Sequence, residues 1–187
     1  MSESKLKKSI KLTRRNIVII LILSITVFSS IILTLYNLQF VEQGSRDKIR
    51  IYGNVKREVN ITLFEIKAEY QQVINQKFDF INDFGSVYDD YFTGAQVWDI
   101  FIQNDLLNAN STQIRFYGYD GYTHTEAINL SIIKNNPSLV ILAYEENGIS
   151  LGPPPDDGPI KSVVNRSLYP TWNSRFSVRN LAAIVVY

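Results

Sequence analysis

From Asn16 to Val41 the chain carries no charged residue. Within that run, fourteen of the nineteen positions of Ile17–Leu35 are Ile, Leu, Val or Phe, and the other five are Ser or Thr. About 20 apolar residues in helical form cross the hydrocarbon core of a bilayer. At about −0.3 to −0.6 kcal/mol for each strongly apolar residue, insertion outweighs the burial of the hydroxyls. The run is too long for the apolar core of a signal peptide, and no Ala-x-Ala cleavage site follows it. The expectation is one transmembrane helix over 16–41, with the lipid bilayer as its partner.

The flanks orient it. Residues 1–15 hold Lys5, Lys7, Lys8, Lys11, Arg14 and Arg15 against the single Glu3, whereas Glu42, Arg46, Asp47 and Lys48 balance one another beyond the span. The positive-inside rule keeps the basic tail, 1–15, in the cytoplasm and sends the linker 42–47 and the domain 48–187 outward. Four Asn-x-Ser/Thr triplets, at Asn60, Asn110, Asn129 and Asn165, are compatible with that export. With a tail of +5 in a chain of formal net charge +1, the remainder carries −4. A mildly acidic body has no electrostatic footprint for nucleic acid, and that class of partner is set aside.

The chain has no cysteine, which excludes disulfides, thiolate metal sites, iron–sulfur clusters and cysteine nucleophiles together. One histidine, His124, and one methionine, Met1, leave little for an imidazole-rich or soft metal site.

The exported part reads as strands with short helices. Lys48–Tyr52 alternates charged and apolar side chains as a half-buried strand and closes at Gly53-Asn54. Thr62-Leu63-Phe64-Glu65 is a capping box that opens a helix to about Tyr70. Gln71–Phe80 is expected extended, burying Val73, Phe78 and Phe80. Thr93-Gly94 is expected to open a second helix, with Ala95, Val97, Trp98, Phe101 and Ile102 on its apolar face. Gln113–Tyr117 alternates, Asp120-Gly121 turns, and Tyr122–Ile128 is expected to return as the partner strand. The central pair is Leu139–Tyr144 and Ile160–Val164, joined through the Glu145–Gly148 corner and the Pro-rich bend Pro153–Pro159. The apolar run Leu181–Val186 is a buried strand at the end of the chain. Strands outnumber helices, so the fold class is α+β, mostly β.

One set of motifs recurs in a known order: Gly53-Asn54-Val55, Thr62-Leu63, Thr93-Gly94 with Val97-Trp98-Asp99-Ile100, Asp120-Gly121-Tyr122, Leu142-Ala143-Tyr144-Glu145 with Asn147-Gly148, Gly158-Pro159, and Val178-Arg179-Asn180-Leu181. This order resembles the molybdopterin-binding domain of the sulfite-oxidase family, over about residues 50–187. The resemblance implies a mixed-sheet, sulfite-oxidase-like fold. In the family it implies a pterin-bound molybdenum held by one cysteine thiolate for oxygen-atom chemistry. That cysteine lies before the Thr-Gly helix, in the region occupied here by Phe78–Tyr91, and this chain has none. A hard Asp or Tyr oxygen does not reproduce a soft thiolate on molybdenum. The expectation is therefore a scaffold without its cofactor: a non-catalytic binding or accessory module, attached to a membrane redox or envelope protein. The alternative is a molybdopterin-dependent oxidoreductase subunit that still binds cofactor.

Lys161, Arg166, Arg175 and Arg179 are the cations after Leu139. Of these, Lys161, Arg175 and Arg179 are the candidate cofactor-binding residues, the two arginines spaced to clamp an anion such as a pterin phosphate. In an extended segment the same spacing describes two solvated arginines on one face. Tyr117, Tyr119 and Tyr122, with Tyr88 and Tyr91, are read first as the edge of a core, and otherwise as a ligand or partner surface. The pairs Asp89-Asp90 and Asp156-Asp157 are read as solvated turn acids, since neither has the spacing of a calcium loop. His124 has no partner at the spacing of a triad or a metal site, and is expected to be structural. No catalytic residue and no metal ligand is assigned.

The anchor has a direct consequence. The full chain is expected to stay with the membrane pellet through alkaline carbonate extraction, and deletion of residues 1–41 to release it; a full chain that washes off was not held by a spanning helix.

Overall fold

The computed structural model describes Thr26, Ser29, residues 46–153 and residues 157–187. The chain divides into two compact units, 1–42 and 43–187. In the first, Thr26 and Ser29 are helical and exposed, and the rest of the expected span lies outside the described residues. Among the described residues no helix is long and apolar enough to cross a membrane.

The body, in the second unit, is built on two five-stranded sheets. In the first, β1 (Lys48–Gly53) lies between β2 (Val59–Thr62) and β10 (Leu181–Val186), and β10 continues to β5 (Gln113–Gly118) and β6 (Ile128–Asn129). The β1–β10 pair is parallel and the other pairings of this sheet are antiparallel. The second sheet runs β3 (Gln72–Ile81), β4 (Val87–Gln96), β7 (Val140–Glu146) and β8 (Ile149–Ser150), with β9 (Lys161–Val164) also on β7, antiparallel throughout. Three short helices are α1 (Leu63–Ala68), α2 (Val97–Gln103) and α3 (Leu130–Asn135). The mostly-β, mixed-sheet reading holds for this body.

Period-two alternation sorts the side chains. On β1, Ile49 and Ile51 enter the main core; on β5, Ile114 and Phe116; on β10, Leu181, Ile184 and Val186. The helices add Ile66, then Val97, Ile100 and Phe101, then Leu130 and Ile133. Strand β7 serves two cores at once. Val140, Leu142 and Tyr144 face the main one, while Ile141 and Ala143 face a second, smaller cluster with Val73, Phe78, Phe80, Phe92 and Val163. That second cluster floors the candidate site.

Helix α1 starts where the capping box puts it: Thr62 Oγ1 accepts from Glu65 N at 3.2 Å, and Glu65 Oε2 accepts from Thr62 N at 2.6 Å. The Thr93-Gly94 expectation is corrected. Those residues are in β4, and α2 begins at Val97, capped by Gln96 without a side-chain bond. Ala95 pairs with Leu142, and a bulge lies between Thr93 and Gly94, so the buried small residues serve close strand approach and not a helix start. Ile102, placed on the apolar face, is exposed, and Ile100 takes the core position. The return of Tyr122–Ile128 as a full strand is also corrected: pairing with β5 is limited to a Tyr117–Thr123 bridge and to β6. The intervening residues instead bond through side chains, Thr123 Oγ1 to Phe116 O at 2.9 Å and His124 to Phe116 N.

Gly94 lies where β4 and β7 approach closely. A Cβ there would lie 2.4 Å from Leu142 O and 2.7 Å from Ala143 Cα, both backbone atoms that cannot swing aside. Gly94→Ala is expected to lower unfolding free energy by about 3 kcal/mol through overpacking. Urea denaturation measures it, and an unchanged midpoint would mean the strands have room to part.

Candidate functional site

Beyond the second cluster the chain leaves a cavity of about 400 Å³. One wall is the β3–β4 hairpin, which carries Phe80, Asp83, Tyr88, Asp90 and Phe92. Glu146, at the end of β7, and Lys161, at the start of β9, line the sheet side. The opposite wall is the segment holding Trp172, Ser174, Arg175, Ser177 and Arg179, with Tyr122 from the loop after β5.

Each wall is fixed by specific bonds. Asn82 shapes the hairpin tip, its Oδ1 accepting from Phe84 N at 3.0 Å and from Ser86 N at 2.9 Å. The Phe80 and Tyr88 rings stack across the two strands, centroids 5.1 Å apart and nearly parallel. Asn173 ties the far wall to the sheet. Its fully buried amide donates to Asp79 O at 3.0 Å and Val164 O at 2.7 Å, and its Oδ1 accepts from Ile81 N at 2.8 Å. Ser162 does the same from β9, donating to Phe176 O at 2.7 Å and accepting from Val178 N at 3.0 Å.

Lys161, Arg175 and Arg179 meet at this one cavity, though not as an open anion clamp. The Lys161 ammonium lies 3.0 Å from Glu146 and 2.7 Å from Asp157, over the Phe92 ring, with its side chain 8% exposed. Arg179 Nε lies 2.8 Å from the other oxygen of Asp157. The Arg175 guanidinium lies over the rings of Trp172 and Phe176 and pairs with Glu126 at 2.6 Å. Burial pushes the Glu146 carboxyl up. Burial would also raise Asp157, but its bonds to Lys161 and the added charge of Arg179 outweigh it and hold that carboxyl down. Two buried polar atoms of the far wall, Arg175 Nε and Ser177 Oγ, have no protein partner.

The tyrosines do not act as one group. Tyr122 lines the cavity and donates to Arg175 O at 3.0 Å. Tyr117 lies 3.1 Å from the Tyr187 hydroxyl, and Tyr119 donates to Lys48 O at 3.0 Å, both along the first sheet. None is core: Tyr119 and Tyr122 are exposed and Tyr117 is half-buried, because the chain leaves the sheet at Gly118. Asp89 and Asp90 are likewise not turn acids. Asp89 and Asp90 lie inside β4, Asp89 2.9 Å from Lys77 across the hairpin and Asp90 accepting from Asn147 Nδ2 at 3.0 Å. Asp157 belongs to the ion cluster, and Asp156 lies outside the described residues. Among the described residues no group of three His, Asp or Glu is arranged to hold a metal.

Of the hairpin residues at the cavity, the sequence pointed to Phe80 as buried, to Tyr88 with the tyrosine group and to Asp90 with the aspartate pairs, but not to Asp83; nor did it point to Trp172 on the far wall. The signal for Trp172 was present: one of only two tryptophans, in a polar loop where burial gives no reason for it.

Compared with family models and with curated proteins, the chain matches none. Among solved structures it is similar to the sulfane dehydrogenase SoxCD from Paracoccus pantotrophus, with a TM-score of 0.60 and 13% sequence identity. The similarity covers 76% of this chain and 39% of that one, so the chain spans about two-fifths of its length. At that identity the likeness is one of fold. The body has a distant sulfite-oxidase-like fold.

The residues present do not fit a thiolate-held pterin molybdenum. The chain has no cysteine, and the segment Phe78–Tyr91, where the resemblance implies one, presents a stacked ring pair and two carboxylates to the cavity. The cations that would meet the pterin phosphate are already paired with carboxylates.

His124 stands beside the site and is 2% exposed. Its Nδ1–H donates to Glu126 O, its Nε2 accepts from Phe116 N at 3.0 Å, and its ring lies edge-on to Phe176 with centroids 4.7 Å apart. Burial first, then the charges of Arg115 and Arg175, lower its pKa to about 4. The unfolded chain takes up this proton near 6.5, so between 6.5 and 4 the unfolded state binds more protons and stability rises with pH. Acidification through that window is expected to remove up to about 3 kcal/mol. His124→Phe should flatten that slope in urea melts between pH 4 and 7, and an equal slope in the variant would assign it to other groups.

Proposed function

We propose that this protein is a membrane-anchored, extracytoplasmic binding or accessory module, which holds a small molecule in the cavity between the β3–β4 hairpin and the 172–179 segment without transforming it. The observation that carries this reading is the pairing of all three cavity cations with carboxylates of the same chain. A cofactor-bearing relative needs those positive charges for phosphate and a thiolate for the metal; here the first are neutralised and the second is missing from the sequence. What remains is a concave, partly aromatic and strongly hydrogen-bonding hollow, of the size in which small ligands bind.

Fold and chemistry are separable, and a scaffold can keep its ligand pocket after its reaction is gone. Anchored by 16–41 and facing outward, such a module would present its ligand to an envelope or redox protein in the same membrane.

Metal analysis of the full chain, purified from its native membrane in detergent, tests this. Molybdenum is expected far below one atom per chain; stoichiometric molybdenum would overturn the non-catalytic reading in favour of an oxidoreductase subunit.

A further inference from the structure

We infer that the cavity takes a short neutral saccharide, an inference that rests on the reading of this hollow as a small-molecule site. Its lining has formal charges of both signs in equal number: Lys161, Arg175 and Arg179 against Asp83, Asp90 and Glu146. An anion gains little here, because each cation already faces a carboxylate. A cation gains little for the converse reason at Glu146, which holds Lys161.

The acids Asp83 and Asp90 lie on the hairpin wall and Arg175 and Arg179 on the opposite one, but the two arginines are already paired, with Glu126 at 2.6 Å and Asp157 at 2.8 Å. The positive wall is thus answered from within the chain, and the anionic end of a zwitterion finds no unpaired cation there. The complement of such a lining is an uncharged molecule whose polar atoms each donate and accept.

Sugar hydroxyls have that property, each with one donor and two acceptor lone pairs. Carboxylates accept from them and guanidinium groups donate to them, and planar side chains engage two neighbouring hydroxyls at once. A sugar also has flat patches of C–H that pack on aromatic rings. Trp172, Tyr88 and Tyr122, 39%, 43% and 46% exposed, offer such rings at the cavity. Tyr88 stacks on Phe80 and Trp172 lies under Arg175, and each ring is still partly open to solvent. A second hollow of about 260 Å³ shares Tyr122, Ser177 and Arg179 with the first, leaving room for a second sugar unit.

Saturation-transfer NMR on the full chain, in a detergent without a sugar head group, tests this. The probes are glucose, mannose, galactose, N-acetylglucosamine and maltose, beside glutamate, glycine betaine and acetate. Transfer to the ring C–H protons of at least one saccharide is expected. Trp172→Ala and Asp83→Asn should each weaken that binding about tenfold or more, with unchanged unfolding midpoints, while Phe64→Ala, on an exposed position of α1, leaves it intact. No transfer to any saccharide, or transfer that persists in both cavity variants, overturns the inference. Transfer confined to glutamate, betaine or acetate and abolished by Trp172→Ala would overturn the saccharide while keeping the cavity as a binding site. Stoichiometric molybdenum in the purified chain would remove the binding-module reading itself.

Discussion

Lys161 is the residue on which the walls of the cavity depend. It sits on the outer face of the second sheet, beside Val163 of the smaller core, where an ammonium with a side chain 8% exposed has lost most of its water. Desolvation of that kind costs several kcal/mol, and close, well-formed partners must offset it. Glu146 and Asp157 do so from two directions. Glu146 ends β7; Asp157 precedes β9 and also holds Arg179, beyond the far wall's 3-10 turn. One buried charge thus fastens sheet, bend and far wall together, and Asn173 and Ser162 complete the closure with neutral bonds.

The same geometry sets which charges the cavity offers. Positive charges at a pocket ordinarily signal an anion, and their spacing in the sequence suggests a phosphate clamp. Paired internally, they become part of the wall. The hairpin opposite them presents a Phe80–Tyr88 stack to the cavity. The likeness to the solved structure, at 13% identity, is one of fold.

Much of the fold was legible because its signals are local. Alternation at Lys48–Tyr52, the capping box at Thr62–Glu65 and the Asn147-Gly148 corner, both residues at positive φ, each specify their element from a few neighbouring side chains. The first half of β4 was not legible: Val87, Tyr88 and Asp89 are all exposed, so no alternation shows, and the strand exists because β3 pairs with it. Gly94 misled for a related reason. Its meaning, a backbone 2.4 Å from a would-be side chain, depends on β7, nearly fifty residues away. Helix α3 had a local signal in Asn129, whose side chain caps Ser131, hidden inside a sequon. At the site, Lys161, Arg175 and Arg179 could be named from the sequence, but their partners Glu146, Asp157 and Glu126 come together only in the folded chain.

The account therefore turns on whether Lys161 is bound to its own chain strongly enough to be unavailable to a ligand. A double-mutant cycle on Lys161→Met and Asp157→Asn, read by urea unfolding of the full chain, measures that directly. The account predicts a coupling of about 2 kcal/mol or more, each single change leaving a buried charge poorly compensated. Additive effects, with a coupling near zero, would contradict it and return Lys161 to the role of an anion ligand.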